Sequence, residues 1–168
     1  MSSLILADGQ LASDDWTVLD DEAAWPESGH VVVSLARWRQ GVGKAAAGLE
    51  VAVSIPNTEN VDEFATELLD RPMLLLEIPK FADGRAYSQA RVLRDRYRYT
   101  GQIRAVGEVH VDQIHFMRRC GFDAFVLPES QSVDAARRKL DEFSLSYQHA
   151  ADPLTTVWER RRAARAPG

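Results

Sequence analysis

A single cysteine, Cys120, occurs in the chain. One thiol excludes an intrachain disulfide, the common structural zinc patterns, and a dithiol or iron–sulfur ligand set. It suits a reducing compartment. Long apolar runs are also missing: nowhere do about 18 apolar residues follow one another, as a membrane-spanning helix needs. The N-terminus MSSLILADGQ has neither the basic region nor the extended apolar region of an export signal. These absences predict a cytoplasmic protein. Positive charge is in deficit as well, with a net charge of −5 and a pI near 5.4, which argues against nucleic acid or an anionic membrane as a general partner. No dinucleotide glycine fingerprint follows a strand. Gly41-Val42-Gly43-Lys44 fails the phosphate-loop pattern, because Trp38 stands where glycine is needed and Ala45 where serine or threonine is needed. No cofactor is evident.

What is present is a rhythm of short apolar runs and amphipathic stretches in a chain of 168 residues, 45% of them hydrophobic, enough for one domain with a full core. Ser3 to Ala7 and Trp16 to Leu19, separated by Asp8-Gly9 and a polar loop, predict an N-terminal β-hairpin within residues 1–20. Strands are then expected over Val31 to Leu35, Glu50 to Ile55, Met73 to Ile78, Ile103 to Val106 and Phe122 to Leu127. Between and after them, helical spacing is read over 35–49, 59–69, 84–97 and 111–119, and in a last helix capped by Ser132 with the apolar face Ala136, Leu140, Phe143 and Tyr147. The pattern predicts a single α/β domain over residues 1–150: a mainly parallel sheet of about five strands with helices packed on it. Open doubly wound and partial (β/α)-barrel arrangements both fit, since five units are too few to close a barrel of eight. Residues 151–168 read as a partly disordered tail in which Trp158, Arg160, Arg161, Arg162 and Arg165 are solvated.

In either arrangement ligands sit beyond the carboxyl ends of the strands. Those loops hold Asn57, the Lys80 to Arg85 corner, Gly107 to His110, and Glu129. Charge singles out the second of them. Residues 1–79 carry 14 acidic and 4 basic side chains, whereas residues 80–104 carry 2 acidic and 7 basic ones. At this corner Asp83 is placed to cap a helix starting at Gly84-Arg85, and Lys80, Arg85, Ser88 and Arg91 are close enough in sequence to surround a phosphate, sulfate or carboxylate at its N-terminus. The competing reading makes Asp83 a cap and the arginines a solvated face, with Arg91 paired to Asp95. Asp83 and Glu108 are the candidate acid–base groups, Glu108 lying beside His110. A helix cap at Glu108 or Asp112 is the simpler reading of that loop. His110, His115 and Cys120 recur every five residues, about 140° apart on a helix, so they share no face and no metal site is expected. Cys120, before Gly121 at a helix end, reads as a buried structural thiol.

Pro79-Lys80-Phe81, Asp83-Gly84-Arg85, Ser88-Gln89-Ala90-Arg91, Arg104-Ala105-Val106-Gly107 and Arg119-Cys120-Gly121-Phe122-Asp123 together are long enough to be specific. Through them the chain resembles a bacterial family, domain of unknown function 934, clearly over about residues 50–127 and loosely elsewhere. It departs from the family pattern at Ile78 and Ala82, neither a loss of charge. Members look like small proteins encoded beside sulfite reductase and other sulfate-assimilation genes, often labelled oxidoreductases. The resemblance implies an accessory protein of assimilatory sulfate or sulfite reduction, with sulfite reductase or another enzyme of that pathway as partner, or a small anion as ligand. It supplies no catalytic residues. An enzyme acting on a small anionic substrate, and an oligomeric scaffold without catalysis, are the alternatives.

Overall fold

In a computed structural model, which describes residues 2–41, 48–142, 145–151 and 155–165, eight strands form one sheet. They are β1 (Ser3–Leu6), β2 (Leu11–Ala12), β3 (Trp16–Val18), β4 (Gly29–Ser34), β5 (Leu49–Ile55), β6 (Met73–Ile78), β7 (Gln102–Gly107) and β8 (Ala124–Leu127). The spatial order is β2-β1-β8-β7-β6-β5-β4-β3. Strands β3 to β8 are parallel throughout, and β1 pairs antiparallel with β8 and with β2. The five predicted strands are β4 to β8. Three short strands raise the count to eight, because the N-terminal segments complete the edges of the sheet.

The expected hairpin forms, with a different second strand. Ile5 and Leu4 pair with Leu11 and Ala12, whereas Trp16–Val18 joins the opposite edge beside β4. That placement determines the shape. Eight flat strands would span about 34 Å from edge to edge, yet the chain from Ala12 to Trp16 reaches at most about 14 Å. The sheet therefore curls until its edges approach, giving an open, half-barrel-like structure.

Sequential strand order also settles where the helices between the strands lie, because right-handed crossovers that always step in one direction deposit them on the same face. The helices are α1 (Leu35–Arg39), α2 (Arg85–Asp95), α3 (Ile114–Cys120), α4 (Val133–Asp141) and α5 (Val157–Ala163). Leu35, Ala86, Ala90, Leu93, Ile114, Met117, Ala136 and Leu140 all enter one core with Val51, Val53, Leu74, Leu76, Ile103 and Phe125 from the sheet. The doubly wound alternative is thereby removed. On the other, concave face, Val32, Ala52, Met73 and Leu75 cluster with Trp16 and Val106. Buried Arg104 lies there too and donates to Asp14 Oδ1 at 2.8 Å, so the connection between β2 and β3 is tied across the inside of the curl.

Other expectations change at their ends. The helix read over 59–69 is two 3-10 turns, Val61–Glu63 and Ala65–Leu68, interrupted at Phe64 with φ −144°. The apolar spacing was real, since Val61, Phe64, Ala65 and Leu68 are buried, but the backbone breaks at Phe64 and takes 3-10 geometry on either side of it. Helix α1 ends at Arg39, and residues 42–47 of the stretch read as helical lie outside the described residues. Ser132 caps α4 as expected, its hydroxyl accepting from Ala135 N at 3.3 Å. Beyond it Phe143 is outside the described residues. Tyr147 stands 68% exposed, past the helix rather than on its apolar face.

Candidate functional site

The Lys80 to Arg85 corner lies where the topology predicts, at the carboxyl end of β6, and β7 braces it. Glu108 N donates to Ile78 O at 2.8 Å, and Glu108 Oε2 accepts from Phe81 N at 2.8 Å. The second bond makes Glu108 a cap for the neighbouring loop instead of for its own helix. Gly107 permits this geometry: its φ is +99°, and a Cβ added there would lie 2.4 Å from Ile78 O. Gln113 closes the other side, donating from Nε2 to Phe81 O at 3.3 Å and accepting from the Tyr87 hydroxyl at 2.7 Å. Gln113 is also the cap residue of α3, without a side-chain cap bond, a place the sequence reading assigned to Glu108 or Asp112. The Phe81 ring, 45% exposed, meets His110 edge-on at 4.7 Å. The loop thus presents an aromatic side chain outward on a backbone held at both its N–H and its C=O.

Asp83 sits one residue before the position expected of a cap. The N-cap of α2 is Gly84, with no side-chain cap bond, while Asp83 Oδ1 accepts from Arg85 N at 3.2 Å. The Arg85 guanidinium grips the same carboxylate with both arms, Nε to Oδ1 at 3.0 Å and Nη2 to Oδ2 at 2.7 Å. The guanidinium bonds first, and the Arg85 amide and the Asn57 side chain after them, hold the Asp83 carboxyl well below the ordinary carboxylate range. So weak a base accepts no proton near neutral pH.

The six predicted site residues do not converge. Ser88 and Arg91 line a cleft of about 510 Å³ between α2 and α3. Arg85 and Ser88 line a separate groove of about 270 Å³ against the 57–62 loop. Lys80, Asp83 and Glu108 line neither, although Lys80 and Glu108 belong to the same end of the sheet. The cationic island is largely neutralised by folding. Arg85, Arg91, Arg94, Arg96 and Arg104 pair with Asp83, Asp95, Asp123, Asp62 and Asp14. Three of those aspartates come from remote parts of the chain, a compensation that local charge counting misses.

Sequence reading also missed Gln89. It lies on the buried side of α2, 5% exposed, and donates from Nε2 to Pro56 O and Glu59 O, each at 2.9 Å. It therefore clamps the loop that follows β5. The signal available was its position, i+3 from Ala86 and i−4 from Leu93, on the face of the helix that those apolar residues mark.

Residues 52–158 match the family described as bacterial protein of unknown function (DUF934). The chain belongs to this family. The DUF934 span begins within β5 and ends within α5, so it contains the corner, the Gln89 clamp and the α2–α3 cleft. It leaves out β1 to β4, including the strand and connection that curl the sheet. No curated protein matches the chain.

Proposed function

We propose that this DUF934 protein is an accessory protein of assimilatory sulfate or sulfite reduction, and that it docks a reductase subunit through the loop face carrying Lys80, Phe81 and His110. The observation that carries this reading is the state of Phe81, a large aromatic nearly half exposed on a loop whose N–H and C=O are both held by side chains. Rigid aromatic anchors of this kind are typical centres of protein–protein contact. Lys80 beside it is exposed and makes no ion pair among the described residues. The pathway comes from the family resemblance.

Binding is favoured over catalysis at this corner because both candidate acid–base groups are engaged structurally, Asp83 by Arg85 and Glu108 by Phe81 N. A small anion at Lys80 and Arg85 is disfavoured for the same reason, since the Arg85 guanidinium already grips a carboxylate with both Nε and Nη2. The scaffold alternative relied on arginines reaching another subunit, and those of residues 80–104 mostly pair within the chain.

The test is affinity capture of the tagged full-length chain from cells grown on sulfate, with mass spectrometry of what is retained. A sulfite reductase subunit is expected, and Phe81→Ala is expected to weaken its binding by about thirtyfold, the effect of removing a strong interface anchor. Unimpaired growth of a deletion strain on sulfate and on sulfite as sole sulfur sources would sink the proposal.

A further inference from the structure

The cleft between α2 and α3 has a composition unlike that of the chain as a whole. Across the sequence acidic side chains outnumber basic ones, 25 to 20. Among the described residues that line the cleft, however, Arg91, Arg119 and His149 contribute and no carboxylate does. Asp95 and Glu159 pair with Arg91 and His149 from outside the lining. Arg91 uses its Nε–H for the Asp95 bond, and a guanidinium offers five donors.

The floor is apolar. Tyr87 is half-buried, with its ring edge-on to Phe116 at 5.6 Å and to Phe122 at 6.2 Å, while Phe116 remains 58% exposed at the rim. Burial, and then the neighbouring Cys120, push the Tyr87 phenol up to about 12. The third wall, residues 148–150, is fixed in place: Arg119 Nη2 donates to Gln148 O, Ser146 Oγ donates to the same oxygen at 3.0 Å, and Ala151 N donates to Arg119 O at 3.0 Å. A volume of about 510 Å³ falls in the range of small-molecule sites and is far larger than an inorganic oxyanion needs.

We infer that the α2–α3 cleft binds a small amphipathic organic anion, its flat or aliphatic body on Tyr87, Val92 and Phe116 and its acidic group at Arg91. Arginine forks favour planar or tetrahedral acids, carboxylate, sulfonate or phosphate, by bidentate bonding. The cleft has none of Lys80, Phe81 and His110 in its lining, so it stands whether or not a reductase subunit docks on that face.

The experiment is a fluorescence titration of the full-length chain with 8-anilino-1-naphthalenesulfonate, compared with N-phenyl-1-naphthylamine, which has the same rings and no sulfonate. Saturable binding of the sulfonate at one site is expected, with weaker binding of the neutral amine. Arg91→Gln should weaken the sulfonate about tenfold and leave the amine unchanged, and Arg91→Lys should lose less. Phe116→Ser should weaken both. Arg161→Gln, on α5, should change neither. All three positions are at least partly exposed, so unchanged thermal melts are expected and separate a binding effect from unfolding. The inference is overturned if the sulfonate fails to saturate, if the amine binds as tightly as the sulfonate, or if Arg91→Gln and Phe116→Ser both bind the sulfonate like the parent.

Discussion

Replacing Gln89 by leucine tests whether the end of β5 is held by the buried amide. Leucine matches glutamine closely in volume and helix propensity, so packing and helix formation change little. What is removed is the donor to Pro56 O and Glu59 O, two bonds of 2.9 Å made beneath a side chain only 5% exposed. A neutral hydrogen bond contributes about 1 kcal/mol, and a buried carbonyl left without a donor costs about 1–3 kcal/mol. Pro56 O keeps a donor in Glu59 N at 3.1 Å, so only Glu59 O is open to that penalty, and it is partly relieved because the 57–62 loop borders an open groove, which places the expected loss at about 2 kcal/mol. For a domain of this size the melting temperature should fall by about 4–8 °C. Urea denaturation, read at a constant m-value, gives the free energy directly. Gln89→Glu adds a check on sign. A buried carboxylate facing two carbonyl oxygens has its pKa raised in the folded chain, so the folded state binds more protons than the unfolded one above the ordinary glutamate value. Its stability therefore rises as pH falls, and the loss should be larger at pH 8 than at pH 5. A Gln89→Leu variant within about 0.5 kcal/mol of the parent, or a Gln89→Glu variant without pH dependence, would refute the clamp.

Gly107→Ala should destabilise the chain by about 2–4 kcal/mol in thermal or urea unfolding, since its φ is +99° and the new Cβ would meet Ile78 O at 2.4 Å; a shift below about 0.5 kcal/mol would show that this loop relaxes freely. Carboxyl NMR titration should find Asp83 with a midpoint below the ordinary value of 3.8. Because folding lowers this pKa, the pair's stabilisation is complete above the unfolded value and is lost only as pH falls toward the folded one; a midpoint at or above 4 would contradict the Arg85 fork. Asp14→Ala removes the partner of a guanidinium that is 5% exposed and should cost about 2 kcal/mol, less than a fully buried pair because Asp14 is itself part-exposed. Adding Arg104→Met should restore part of the loss, and strict additivity of the two changes would dissociate the pair from the curl of the sheet.

Much of the architecture was legible because strands β4 to β8 are covered on both faces, and double burial writes near-continuous apolar runs that no surface element imitates. The buried face of α2 was legible for a similar reason: Ala86, Ala90 and Leu93 repeat at helical spacing and are all fully buried. Where prediction slipped, local pattern was right and partner wrong. Trp16–Val18 reads as a strand and is one, but nothing in three residues says which edge it joins. Val61 to Leu68 has helical spacing and buries the expected side chains, while the backbone takes 3-10 geometry. Topology put the Lys80 to Arg85 corner at the carboxyl end of β6, and it lies there. Its residues were then over-collected, because nearness in sequence puts Lys80, Arg85, Ser88 and Arg91 together, whereas the turn of α2 sends Arg85 and Arg91 into different grooves.

The sequence by itself determined the class of fold, the family, and the corner after β6 as the place where chain direction, glycine and charge change together. Periodicity and composition are local quantities, and these conclusions needed only local quantities. Tertiary structure alone decided that α1 to α4 share one face, that the curl is tied by Asp14 on Arg104, and that the basic island is met by Asp14, Asp62 and Asp123. It also decided that the cationic cleft lies between α2 and α3 instead of at the corner. Charge pairing and concavity depend on which remote segments meet, and burial of the apolar strands is what brings those segments together.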